Sequence, residues 1–147
     1  RRQRQMCIRD RYYWGDVHRK QLGKRAYAIS PARTALGLDL PYTFHQDTPV
    51  LPPDMLRTVQ CAVTRSTETG AVLGREECIS PLEALRGVTV NAAYQYFEEK
   101  EKGSIQVGKR ADLVVLSANP LKVPANEIGK IEVLVTIKEG SVQYRKA

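Results

Sequence analysis

Tyr42-Thr43-Phe44-His45-Gln46-Asp47-Thr48-Pro49-Val50 is a short apolar run that ends in two side chains capable of chemistry and then in a proline turn. Alternate side chains of an extended segment share a face, so His45 and Asp47 are expected to project the same way from the C-terminal end of a strand. No other pairing in the chain suggests catalysis as directly. Read from the residues alone, Asp47 ahead of Thr48-Pro49 is a turn residue, because Asp before Thr-Pro is ordinary turn chemistry.

On the N-terminal side, Ser30-Pro31 reads as a helix start, with Ser as cap and Pro in the first turn, and the helix is expected to reach Gly37. Helix, short loop, strand and polar end make one αβ unit. Further upstream, Tyr12-Tyr13-Trp14-Gly15-Asp16 is aromatic and then punctuated by Gly, which predicts a loop leaving a buried element. On the C-terminal side, Met55, Val59, Ala62 and Val63 fall at helical spacing within an amphipathic helix over 54–66. Cys61 lies in that helix as a small core residue rather than a nucleophile. Ser80-Pro81-Leu82-Glu83 fits a capping box, and the helix it opens should end near Gly87. A further helix is predicted from Thr89 to Lys100, with Ala92, Ala93, Tyr96 and Phe97 on its buried side.

After Lys102 the pattern changes to strands and turns. A turn-bounded strand is predicted over 103–109, and Asp112-Leu113-Val114-Val115-Leu116 reads as a strand buried on both faces. A short helical turn is expected over 124–129, then a hairpin of 131–138 with 141–144 around Glu139-Gly140. There is no internal repeat and no low-complexity segment.

The 147 residues are 42% hydrophobic and 27% charged, which excludes disordered, collagen-like and coiled-coil classes. No apolar stretch approaches the roughly 20 residues of a bilayer span, so no membrane partner is expected. The net charge of +7 is uneven: five arginines against Asp10 give residues 1–11 a net +4, leaving +3 for the rest. Beyond residue 11, basic and acidic residues alternate as on a solvated surface, and no nucleic-acid partner is expected. Cys7, Cys61 and Cys78 are far apart and odd in number, the usage of reduced thiols in a cytoplasmic protein. Residues 1–11 have neither helical nor strand periodicity. They resemble translated adapter read-through at the end of an assembled sequence, the alternative being a natural disordered basic arm, and no binding function is rested on them.

Several motifs in one order carry a resemblance: Tyr13-Trp14-Gly15-Asp16, His45-Gln46-Asp47-Thr48-Pro49-Val50, Ala62-Val63-Thr64-Arg65, Thr89-Val90-Asn91-Ala92-Ala93-Tyr94, Lys102-Gly103-Ser104-Ile105, Gly108-Lys109-Arg110-Ala111-Asp112-Leu113-Val114-Val115-Leu116 and Thr136-Ile137-Lys138-Glu139-Gly140. From Tyr12 onward the chain resembles the C-terminal part of a metal-dependent amidohydrolase of family 3, the group that includes N-substituted formamide deformylase-like proteins. The resemblance implies an α/β fold: the C-terminal fragment of a (β/α)8 TIM barrel, with its active site at the C-terminal ends of the strands, plus part of a small composite β domain. Residues 12–102 would hold the last barrel strand and its helices, and 103–147 the small-domain strands, outside the basic tail of 1–11.

The same resemblance implies that Asp47 is catalytic, binds the metal and handles the proton of the attacking water. The cofactor would be a divalent ion, Zn²⁺ in a mono- or binuclear site, activating water against a carbon-nitrogen bond of a small N-acyl or N-formyl amide. His45 either orients substrate and stabilises the site or is a buried, hydrogen-bonded histidine. Trp14 and Asp16 would line the substrate pocket from the loop after strand seven. The family's His-x-His pair is not in this sequence, and His18 and His45 are the only histidines, whereas a catalytic zinc takes about three protein ligands. Residues 1–147 alone are therefore expected to be inactive, to bind no stoichiometric zinc, and to leave strand edges open to aggregation. The missing N-terminal part of the same polypeptide would be the partner, and a homo-oligomer is compatible with the resemblance. The competing reading is a non-catalytic soluble domain that binds a protein or nucleic acid through its basic surface, and chemistry such as deamination or cyclic-amide opening would fit the same fold.

Overall fold

The computed structural model describes residues 4–147. Tyr42–Phe44 forms a three-residue strand, β2, all of it buried. Aromatic and β-branched side chains suit a strand covered on both faces. Its parallel neighbour is β1, Arg4–Met6, in the register Arg4 to Tyr42 and Met6 to Phe44. Parallel strands need a crossover connection, here supplied by α1 (Asp10–Leu22), a 3-10 segment (Gly23–Ala28) and α2 (Ala32–Gly37).

After β2 the chain enters α3 (Met55–Thr64), α4 (Pro81–Val88) and α5 (Val90–Gln95). α3 starts where Asp54 accepts a hydrogen bond from Arg57 N, and it stops where Arg65 turns left-handed. The capping box opens α4 as expected: Glu83 N donates to Ser80 Oγ, and Ser80 N donates to Glu83 Oε2. The helices close over β2. A Cβ on Gly87 would stand 2.7 Å from Phe44 Cε2, so the absent side chain is what lets α4 approach this closely. Tyr42 Oη donates to Glu83 O, Asn91 Nδ2 donates to Tyr42 O, and Thr43 Oγ1 donates to Gln95 Oε1. Met6, Ile8, Tyr42, Phe44, Val59, Cys61, Ala62, Ile79, Ala84 and Ile128 form the core around β2.

The C-terminal part is an antiparallel sheet of β3 (Leu113–Leu116), β4 (Val133–Lys138) and β5 (Ser141–Arg145), in the order β3-β4-β5. A 3-10 segment (Ala125–Lys130) joins it to the helices: Ile128 is buried against α3, and Gly129 N donates to Gln60 Oε1. Among the described residues no helix is long and apolar enough to cross a membrane.

Several expectations are corrected. Residues 4–11 do not stand outside the fold: β1 pairs with β2, and Met6, Ile8, Arg9 and Arg11 are buried, Ile8 within the core. Residues 1–3 lie outside the described residues. Tyr12–Asp16 is helical rather than a loop, since Gly15 is needed for close packing and not for a turn: its Cβ would meet Thr67 Cγ2 at 2.5 Å. Pro31 rather than Ser30 caps α2, because Ser30 sits at φ 49° and makes no capping bond. The helix after Thr89 stops at Gln95, and Tyr96 and Phe97 are each 71% exposed, because the chain turns left-handed at Phe97 and carries both rings outward. Residues 103–109 are turns, with Gly103 and Gly108 at positive φ and Lys109 Nζ donating to Glu99 O and Ser104 Oγ. β3 is not buried on both faces: Val114 and Val115 are exposed at the sheet's edge.

Candidate functional site at the rim of the parallel strand pair

Because β1 and β2 run in parallel, their C-terminal ends emerge on the same side of the fold. Cys7 follows one and His45 the other, and His45 N donates to Met6 O as a last rung of the ladder. Cys7 Sγ lies 3.6 Å from His45 Nδ1. Burial raises the Cys7 thiol above its ordinary range, and the neighbouring Asp10 and Asp47 carboxylates add to that shift. A thiol held among carboxylates stays protonated and is a weak nucleophile. Asp10 opens α1, where the helix N-terminus favours a carboxylate, and its Oδ1 is buried without a hydrogen-bond partner.

The strand ends at Phe44, so His45 and Asp47 do not share a strand face as the alternation had suggested. Asp47 instead sits in the left-handed region at φ 56°, and its backbone carbonyl accepts from Val50 N at 2.7 Å. Asp tolerates this conformation better than most residues. Its side chain is exposed, and among the described residues the carboxylate has no hydrogen-bond or ion-pair partner. Between the two, Gln46 turns inward and is buried.

Trp14 and Asp16 are not brought to this rim. Both lie within α1, Trp14 at 49% exposure, and Asp16 accepts from Thr69 Oγ1 at 2.7 Å and pairs with Arg19 at 3.4 Å. The hydroxyl of Thr69, first among several donors, holds the Asp16 carboxyl below its ordinary range. Thr69 follows the C-terminus of α3, whereas Asp47 precedes its N-terminus, and the 10 residues of that helix span about 15 Å. His18 lies on the same helix as Asp16.

A metal needs several donors in one place. The rim offers an oxygen donor in Asp47 and a ring nitrogen in His45, but among the described residues no group of three or more His, Cys, Asp or Glu is close enough to hold an ion. The fit is partial: among the described residues the rim supplies donors of the types a metal takes, but fewer than the three or so protein ligands of a zinc site. Cys61, at the centre of α3, is inert packing, its thiol pushed up to about 11 by burial. The basic excess is partly internal, since Arg9, Arg11 and Arg65 are buried; Arg65 donates to the carbonyls of Tyr27, Ile29, Ser30 and Leu73. Gln46 and Asp10 escaped the sequence reading. The signal for Gln46 was a polar side chain in register with Phe44, on a face that has to find it partners.

Comparisons with known proteins place these features in context. The chain matches the amidohydrolase family over residues 7–144. It is 31% identical over 135 residues to N-substituted formamide deformylase of Arthrobacter pascens, an alignment covering 90% of this chain and 25% of that protein. It is 41% identical over 66 residues to imidazolonepropionase of Treponema denticola, covering 45% of this chain and 16% of the relative. The solved structure of an amidohydrolase from Thermotoga maritima superposes with a TM-score of 0.56 at 26% identity, over 80% of this chain and 27% of that one. The chain thus spans about a quarter of the length of the formamide deformylase it matches.

Proposed function

From its membership of the amidohydrolase family, established by the match over residues 7–144, we propose that this chain is part of a hydrolase that cleaves a carbon-nitrogen bond in a small N-acyl or N-formyl amide. The observation that carries the reading is Asp47: an exposed carboxylate without a protein partner among the described residues, held by a left-handed backbone at the C-terminal rim of a parallel strand pair. Ligands of α/β folds bind outside the carboxyl ends of parallel strands, so a carboxylate at that rim is where catalysis is expected. The relatives support the bond type by name, one as a formamide deformylase and one as an imidazolonepropionase. In this reading β2 is the last strand of a (β/α)8 barrel.

A divalent ion such as Zn²⁺, when bound, lowers the pKa of a coordinated water and so supplies hydroxide near neutral pH. Asp47 would be one of its ligands, with the others outside this chain. The Asp47 carboxylate also accepts the proton of the attacking water and delivers it to the leaving nitrogen. His45, whose Nδ1 faces Cys7 Sγ, has Nε2 as its second ring position for orienting the substrate carbonyl. Trp14 and Asp16 stay candidates for the substrate side only if the rest of the polypeptide extends the pocket along α1.

The test is kinetic, in a family-length polypeptide containing this segment. Asp47→Asn is expected to lower kcat on an N-substituted formamide by at least about a thousandfold, the loss typical of a group acting on the transition state, with KM changed little. His45→Gln should lose less. An Asp47→Asn enzyme within tenfold of the parent would remove the assignment.

A further inference from the structure

Gln46 stands between the two rim side chains and faces the opposite way. It is 6% exposed, and both ends of its carboxamide are engaged. Oε1 accepts from Asp54 N at 2.7 Å, while Nε2 donates to Thr58 Oγ1 at 2.8 Å and lies 3.3 Å from Met55 Sδ. Thr58 Oγ1 in turn donates to Asp54 O, and Asp54 Oδ1 accepts from Arg57 N. Gln46 therefore ties the loop 47–53 to the first turn of α3, and Arg9 Nη1 holds the loop's far end at Pro52 O. Inside that loop Val50 N donates to Asp47 O at 2.7 Å and Thr48 Oγ1 donates to Leu51 O at 3.2 Å. Asp47 is thus fixed on both sides, by the anchored residue before it and the turn after it. Asp reaches the left-handed φ of 56° more readily than most residues but still prefers right-handed φ, so these anchors select the conformation.

We infer that Gln46 is a positioning residue for Asp47: its buried carboxamide locks the rim loop in the conformation that turns the Asp47 carboxylate outward. The inference rests on the reading of Asp47 as the functional carboxylate and extends it to a side chain that touches no substrate. Glutamine suits the place because the site asks for one acceptor, for the Asp54 N–H, and one donor, for a Thr58 hydroxyl whose own hydrogen goes to Asp54 O. Leucine offers neither, and an ionised carboxylate offers acceptors only.

The test is ¹⁵N NMR on the full 147-residue chain, comparing Gln46→Leu and Gln46→Glu with the parent. In Gln46→Leu, amide exchange at Asp54 and Arg57 should accelerate about tenfold or more relative to Ala84 in α4, the effect of losing a buried hydrogen bond. The Asp47 amide order parameter should fall from the rigid range of about 0.85 to below about 0.6. Gln46→Glu, held at neutral pH, keeps an acceptor for the Asp54 N–H but, ionised, has no donor for Thr58 Oγ1, so the Asp47 order parameter should fall there too, by less than in Gln46→Leu. An unchanged Asp47 order parameter in both variants, with only Tm lowered, would make Gln46 a structural residue and overturn the proposal. Should Gln46→Leu not fold, Gln46→Glu at the same neutral pH decides alone, and an Asp47 order parameter equal to the parent's overturns it. Failure of the Asp47 assignment is read separately, from the kinetics of Asp47→Asn.

Discussion

β2 and β3 are both short apolar runs, yet Tyr42, Thr43 and Phe44 are all buried while Val114 and Val115 lie open. Composition does not separate them, and β3 is the more aliphatic of the two. The difference lies in what covers each strand. β2 has β1 beside it and α4 and α5 across it, with Gly87 removing the one side chain that would hold α4 away. β3 has β4 on one edge and nothing on the other among the described residues, and the 3-10 segment at 125–130 ties its sheet to α3. A strand's burial is a property of its neighbours, and the two halves of this chain should respond differently to equivalent damage.

The largest effect is expected on the sealed side. Arg65 is 1% exposed and supplies the hydrogen bonds of four carbonyl oxygens, those of Tyr27, Ile29, Ser30 and Leu73. Arg65→Met removes a donor from all four, leaving the Tyr27 and Leu73 carbonyls without a side-chain partner in a buried place while those of Ile29 and Ser30 keep Arg11 Nη2, and should cost more than about 3 kcal/mol in urea unfolding. A loss under about 1 kcal/mol would mean that this half is not sealed as described. Next comes Gly15→Ala, whose new Cβ would meet Thr67 Cγ2 at 2.5 Å and Leu73 Cδ1 at 2.9 Å. Overpacking of this kind costs about 1–3 kcal/mol, which outweighs the roughly 0.5–1 kcal/mol that alanine gains in a helix. An unchanged or higher Tm would contradict the close approach of α1 to residues 67–73.

Ser80→Ala removes the cap of α4, and a loss of about 1 kcal/mol is expected. This box is also sensitive to pH. The backbone N–H of Ser80, first among its partners, holds the Glu83 carboxyl below its ordinary value of 4.5. A folded pKa below the unfolded one stabilises at pH values above the unfolded pKa and is lost as pH falls through the folded pKa. The stability gap between the parent and Glu83→Gln should therefore be present at neutral pH and shrink below about 4.5. A gap independent of pH would show that the Glu83 charge plays no part. The smallest effect belongs to the open side: Val115, 45% exposed, should accept Thr within about 0.5 kcal/mol. A loss comparable to that of Gly15→Ala would erase the contrast between the halves.

Much of the helical layout could be read from local chemistry, because caps and breakers act over a few residues. The Asp54 start, the Ser80 capping box and the Glu139-Gly140 turn are all where the sequence placed them. What could not be read depends on long-range covering. Tyr96 and Phe97 continue a helical stripe, but the left-handed turn at Phe97 takes them out of the core. The arginine-rich start looked foreign by periodicity, yet a three-residue strand such as β1 is too short to show any, and its partner lies almost 40 residues away. At the rim, strand alternation suggested a paired His45 and Asp47, and the residue it set aside, Gln46, is the one that organises the loop.

The central claim is that Asp47 is the carboxylate this segment contributes to a metal site at the strand rim. Anomalous diffraction at the metal edge, from crystals of a family-length polypeptide containing residues 4–147, tests it most directly. The account predicts a divalent ion with an Asp47 oxygen at about 2.0–2.2 Å, the bond length of a zinc carboxylate. An ion fully ligated elsewhere, with the Asp47 side chain turned to solvent, would contradict it.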